Sequence, residues 1–151
     1  MKTIIKIMTI AAIMLFSISI VSAALNTGLQ APAEFEHSIY WDRNNDMDIY
    51  ALKNDNNTLL YVEEYNADDD KILLESDPEF NYYVTPMGNN TYLGLDQDLH
   101  DGYVIEVVEY DGVKYIVNTY LTDNPDNAKV TDSAKYLVEF NKLNNVEPVA
   151  V

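Results

Sequence analysis

The chain has 151 residues, with 25 acidic side chains against 9 basic ones, no cysteine and a formal net charge of −16. That charge repels phosphate backbones and excludes nucleic acid as a partner, because nucleic-acid binding displaces counterions with clustered Lys and Arg. Hydrophobic residues at 48% and aromatics at 11% are enough for a packed core, which excludes disorder throughout, and the length suits one domain.

Residues 1–24 predict a cleaved export signal: Lys2 and Lys6 open it, Ile7 to Ser22 carries no charge, and Val21-Ser22-Ala23-Ala24 supplies small residues for cleavage. The alternative is an uncleaved N-terminal anchor facing outside, since about 18 uncharged residues approach the length that spans a bilayer. Thr9, Ser17, Ser19 and Ser22 dilute that run and the turn-forming Asn26-Thr27-Gly28 follows at once, which favours cleavage. No second apolar run follows, so the expected product, 25–151, is a single acidic domain, secreted or at the cell surface, without membrane insertion. Losing Lys2 and Lys6 leaves 25 acids against 7 bases, a charge of about −18. Without cysteine there is neither a disulfide framework nor a lipid-modified N-terminal cysteine, so the core alone must hold the fold. Asn56-Asn57-Thr58 and Asn89-Asn90-Thr91 are glycosylation sequons, read in so Asn-rich a chain as chance matches.

In chain order, Ala31 to His37 predicts a short helical turn with Pro32 at its start and Phe35 pointing inward. Short runs rich in Tyr, Val, Ile and Leu then alternate with clusters of Asn, Asp, Pro and Gly: Ser38 to Trp41, Met47 to Lys53, Thr58 to Tyr65, Lys71 to Glu75, Phe80 to Thr85 and Thr91 to Leu95. These predict strands of an antiparallel meander, since the spacing leaves no room for crossover helices. From Tyr103 to Leu121 two β-rich runs flank Asp111-Gly112, the dipeptide of a two-residue hairpin turn. Such a turn pairs Tyr110 with Val113, Glu109 with Lys114, Val108 with Tyr115, Val107 with Ile116, Glu106 with Val117 and Ile105 with Asn118. Both faces of the hairpin come out mostly apolar, which places it mid-sheet. A last helix is predicted with Thr131 or Asp132 as N-cap, an apolar stripe of Tyr136, Leu137, Phe140 and Leu143, and Asn144-Asn145 as its end, followed by an extended tail. The expected fold class is α+β, an antiparallel sheet of about five to seven strands with the C-terminal helix packed on one face; the alternative is an all-β sandwich with a peripheral helix.

The segments Val107-Val-Glu-Tyr-Asp-Gly-Val-Lys-Tyr-Ile-Val and Tyr136-Leu-Val-Glu-Phe-Asn-Lys-Leu-Asn-Asn resemble uncharacterised small acidic secreted proteins of methanogenic archaea. The resemblance covers mainly the C-terminal half. It implies an exported archaeal protein and brings with it no activity and no site residues.

The most pointed constellation is Asp42, Asn44, Asp46 and Asp48, four oxygen-bearing side chains at alternate positions, similar to the first half of an EF-hand calcium loop. Met47 stands where the loop needs glycine and Lys53 where it needs a bidentate Glu, so the EF-hand reading fails. A looser calcium site remains the candidate, against a solvated turn. Asp68-Asp69-Asp70 and Asp123-Asn124-Pro125-Asp126-Asn127 read first as turns, secondarily as ligand sources. Beyond the signal the chain holds His37, His100 and three serines, Ser38, Ser76 and Ser133, none within a nucleophile motif. Ser133 is expected at the helix start, as a cap or an exposed hydroxyl, and His100 as a surface group among Asp98 and Asp101. Glu63, Glu64, Glu106 and Glu109 are the carboxylates available for glycoside hydrolysis. Glu106 is placed near the solvent end of its strand, with burial among apolar side chains as the alternative. Of twelve tyrosines, Tyr82, Tyr83, Tyr103, Tyr115 and Tyr120 fall on strands, and the opposed Tyr103 and Tyr120 are read as cross-strand packing before a binding face. The expected function is a non-enzymatic exported domain that binds protein, glycan or cation, with no cofactor; the alternative is a small secreted hydrolase using carboxylates that no motif marks.

Overall fold

The computed structural model describes residues 28–37 and 47–151. These residues form seven strands, β1 (Phe35–His37), β2 (Met47–Leu52), β3 (Asp55–Glu64), β4 (Tyr82–Gly88), β5 (Thr91–Asp96), β6 (Asp101–Tyr110) and β7 (Val113–Leu121), with a one-turn helix α1 (Lys71–Leu74) and a long helix α2 (Asn127–Asn144). The strands make one antiparallel sheet in the order β1-β2-β3-β7-β6-β5-β4. The class is α+β, a seven-stranded antiparallel sheet with the C-terminal helix on one face.

The centre of the sheet follows from one turn. Asp111 and Gly112 take φ of 52° and 79°, the left-handed pair whose twist matches that of paired strands. A two-residue loop leaves only one register, and β6 and β7 pair from Tyr110 opposite Val113 to Gly102 opposite Leu121, including all six pairs the turn predicts. Alternation then sorts the side chains. Leu60, Val62, Val104, Val108 and Val117 face Leu137 and Phe140 of α2, while Ile105, Val107 and Ile116 face the other way, under Leu73 and Leu74 of α1 and Val149 of the tail. The hairpin is thus buried on both sides, and burying each such side chain contributes roughly 1.5–3 kcal/mol.

Helix α2 starts earlier than expected, at Asn127, because Asp126 and not Thr131 or Asp132 is its N-cap, accepting from the Lys129 N–H at 2.8 Å. Thr131 instead donates back to the Asn127 carbonyl at 2.7 Å within the helix. Ser133 consequently lies in the helix body and is buried, contrary to the expectation of a cap or an exposed hydroxyl. The sheet-facing stripe is Ser133, Leu137, Phe140 and Asn141; Tyr136 packs edge-on against Phe35 at 5.0 Å, and Leu143 is exposed. Asn145 ends the helix in the left-handed conformation, φ 53°. The tail then runs along β6 beyond the point where β5 begins, with the Val149 N–H donating to the Val107 carbonyl at 2.7 Å.

Three local expectations change. Ala31 to His37 is a turn followed by strand β1, since Glu36 and His37 pair with Ala51 and Tyr50; Phe35 does point inward. Of the expected strand Lys71 to Glu75, Lys71–Leu74 is the helical turn α1, and Glu75 is its extended C-cap. Asn66 curls the chain there by accepting from the Asp68 N–H at 3.0 Å while its own N–H donates to Asp70 at 2.7 Å. Phe80 sits in a 3₁₀ turn capped by Asp77, which accepts from the Glu79 N–H, and is exposed. The expected strand from Ser38 to Trp41 and the export signal lie outside the described residues. The sheet's outer strands are plain: β1 has three residues, and β4 carries Pro86 and a bulge before Gly88.

Candidate functional site

Glu106 lies on the α2 side of β6, opposite Val117 on one neighbour and Thr91 on the other, and is 2% exposed. The expectation that it lies near the strand's solvent end is therefore wrong. β6 runs four residues past it and α2 crosses above it, so it is a carboxylate enclosed in the helix–sheet seam. Its Oε1 accepts from Thr91 Oγ1 and its Oε2 from Asn141 Nδ2, each at 2.7 Å. Burial pushes its pKa above the ordinary carboxylate value, and the two hydrogen bonds pull the other way.

Three local structures converge on this group. Asn89 and Asn90, both at positive φ, close the β4–β5 turn and set Thr91 beside Glu106. The stripe of α2 brings Asn141 down onto it. The left-handed Asn145 turns the chain back, so that Val146 and Pro148 form a wall, tied to the turn by Asn90 Nδ2 donating to the Pro148 carbonyl at 3.2 Å. Between them opens a cleft of about 530 Å³, lined by Thr91, Glu106, Val138, Asn141, Lys142, Val146, Glu147 and Pro148 among others. Asn141 gives its Nδ2 to Glu106, and its Oδ1 is buried without a partner. A buried acceptor without a donor costs roughly 1–3 kcal/mol, a cost that a donor arriving from a ligand removes.

The opposite face carries a ladder of tyrosines. Tyr61, Tyr120, Tyr103 and Tyr82 follow one another across the sheet with ring centroids 6.2, 5.1 and 6.2 Å apart. The opposed Tyr103 and Tyr120 stack, as the register predicts. Tyr82 reaches over β5 at Gly94 and donates its hydroxyl to the Leu73 carbonyl at 2.8 Å, which holds α1 on the sheet. Tyr120 donates to the buried Asp101. Burial pushes the phenol pKa of both Tyr82 and Tyr120 well up, so both stay protonated donors. A trough of about 240 Å³ lies beside the rings of Tyr61, Tyr103 and Tyr120, with Asn118 and Glu63 in its lining.

Of the candidate calcium ligands, Asp42, Asn44 and Asp46 lie outside the described residues. Asp48 is on β2, buried, with Oδ1 3.7 Å from His37 Nε2. Burial raises its pKa and His37 opposes the shift. Asp68 and Asp69 are exposed, whereas Asp70 is buried and committed to the Asn66 N–H. Asp126 caps α2. Among the described residues no group of three His, Cys, Asp or Glu converges. His100 is exposed at φ 60°, with its carbonyl accepting from the Asn124 N–H at 2.7 Å. Ser76 Oγ accepts from the Val84 N–H at 2.8 Å. Glu64 and Glu109 are exposed. Sequence reasoning missed Thr91 and Asn141. The signal for Asn141 was available, since it falls four residues after Leu137 on the predicted apolar stripe, where an amide needs a buried partner. Compared with protein-family models, with curated proteins and with solved structures, the chain finds no match.

Proposed function

We propose that the chain is an exported or cell-surface domain without catalytic activity that binds its ligand, of protein, glycan or cation class, in the cleft over Glu106. Export is supported by the signal pattern of residues 1–24. The observation that carries the binding reading is the pairing of a buried carboxylate, held by two neutral donors, with an adjacent amide oxygen that has none. Such a floor orients a ligand, and Thr91, the one hydroxyl side chain in the lining, is already committed to Glu106. The test is amide NMR of the purified protein against a panel of peptides, oligosaccharides and cations. Saturable shifts confined to Thr91, Glu106, Asn141 and Val146 are expected, and shifts confined to the tyrosine trough would move the site to the opposite face.

One observation favours a hydrolase as second reading: Glu147 lines the same cleft as Glu106, whose raised pKa suits a general acid. Turnover of chromogenic glycosides that disappears in Glu106→Gln would establish it in place of binding.

A further inference from the structure

The cleft has a charge imbalance that identifies the kind of ligand it fits. Both hydrogen-bond partners of Glu106 are neutral, and the ion pairs among the described residues join His37 with Asp48, Lys71 with Glu75 and Lys135 with Asp132. A buried carboxylate without a cation is costly, and each of its oxygens retains a further lone pair. An ionised Glu106 also requires Asn141 to turn its Nδ2 inward, and that choice leaves Oδ1 as a second acceptor without a donor. The complement of this floor is positive and rich in N–H groups.

A hard metal ion asks for six or more oxygens, whereas the buried floor offers one carboxylate and one free amide oxygen, and Glu147, the other carboxylate of the lining, is exposed. An ammonium group carries three N–H donors and a full charge, which matches two acceptors and one negative charge. Val138, Val146 and Pro148 supply apolar surface for the carbon atoms next to it. Lys142 lines the cleft as well, one residue from Asn141, but is exposed and joins none of the ion pairs among the described residues. The net charge of −16 raises the local concentration of any small cation.

We propose that the cleft binds the ammonium head of a small primary amine, with N–H groups donated to the Glu106 carboxylate and Asn141 Oδ1 and the carbon chain laid against Val138, Val146 and Pro148. This rests on the reading that the cleft is the ligand site.

The experiment is an amide NMR titration of the purified protein with propylammonium chloride, 1-propanol, potassium chloride, calcium chloride and methyl glucoside. Propylammonium is expected to give saturable shifts at Thr91, Glu106, Asn141 and Val146 that propanol and potassium do not reproduce. Glu106→Gln should weaken binding about tenfold or more, the loss of one charge-assisted contact. Lys142→Met, which removes a competing cation from the rim without touching the floor, should tighten it about two- to fivefold; this variant decides the matter if Glu106→Gln does not fold. Equal shifts with propanol or methyl glucoside at these residues would overturn the ammonium while leaving the cleft as the site. Equal shifts with potassium or calcium would replace it with an inorganic cation. Absence of shifts there with every probe would overturn both readings.

Discussion

Gly94→Ala is expected to destabilise the protein by about 3 kcal/mol, through a side chain twelve positions away. A methyl group built on Gly94 would stand 2.0 Å from Tyr82 Oη and 2.7 Å from its Cζ, so the buried ring must leave. Displacement removes the hydroxyl's bond to the Leu73 carbonyl, worth about 1 kcal/mol net. It also breaks the edge contact with Tyr103, about 0.5–1.5 kcal/mol. Re-exposing half of a tyrosine, roughly 80–100 Å², adds about 2 kcal/mol, and the better strand propensity of Ala returns about 0.5. Urea unfolding followed by circular dichroism is the assay; with a slope near 1.5 kcal/mol/M the midpoint should fall by about 2 M. The same substitution in a Tyr82→Ala background should cost less than about 0.5 kcal/mol, because the obstacle is gone. A Gly94→Ala cost that persists unchanged in that background would refute the reasoning.

A Cβ at Gly112 has no neighbouring atom within 4 Å, so the expected cost of Gly112→Val, about 1–2 kcal/mol in thermal melts, arises chiefly from the φ of 79°. Phe140→Ala should lose about 3–5 kcal/mol by cavity formation, while Lys142→Ala stays within about 0.5 in the same denaturation assay. Because burial raises the pKa of Glu106, the native state keeps that proton to higher pH than the unfolded chain. The associated stability is present below the unfolded carboxyl value, about 4.3, and is lost as pH rises through the native one. Urea midpoints between pH 4 and 7 should therefore fall less steeply in Glu106→Gln, and an unchanged slope would remove the effect from this residue. Melting with millimolar calcium or magnesium, both in about 0.15 M sodium chloride, should differ little, and a calcium-specific rise abolished by Asp46→Asn would establish the loop that begins at Asp42 as a site.

The hairpin was legible because Asp111-Gly112 encodes its own register, and two apolar faces then required a mid-sheet place with cover on both sides. The length of α2 was less legible. Asp126 sits in a cluster of turn formers and is a cap only because the chain after it continues helical. Lys71 to Leu74 suits a strand as well as a helical turn over so short a run, and the curl at Asn66 decides between them. Glu106 shows the limit most clearly. Its register was derived correctly, but its burial depends on α2 crossing above it, 35 residues later in the chain. The need for glycine at 94 is set by a diagonal neighbour on the adjacent strand, since Val84 stands directly opposite Gly94 and the ring of Tyr82, two residues away, leans across and fills the space.

The plain outer strands of the sheet bear on how the protein behaves in crowded solution. A long regular rim presents a row of N–H and C=O groups that can template pairing with another molecule and begin polymerisation. Among the described residues one rim is three residues long, and the other is interrupted by a proline that has no N–H and by a bulge that spoils the spacing. At the β4 rim strand-to-strand growth thus meets a broken template, and a charge of −16 adds repulsion between approaching molecules.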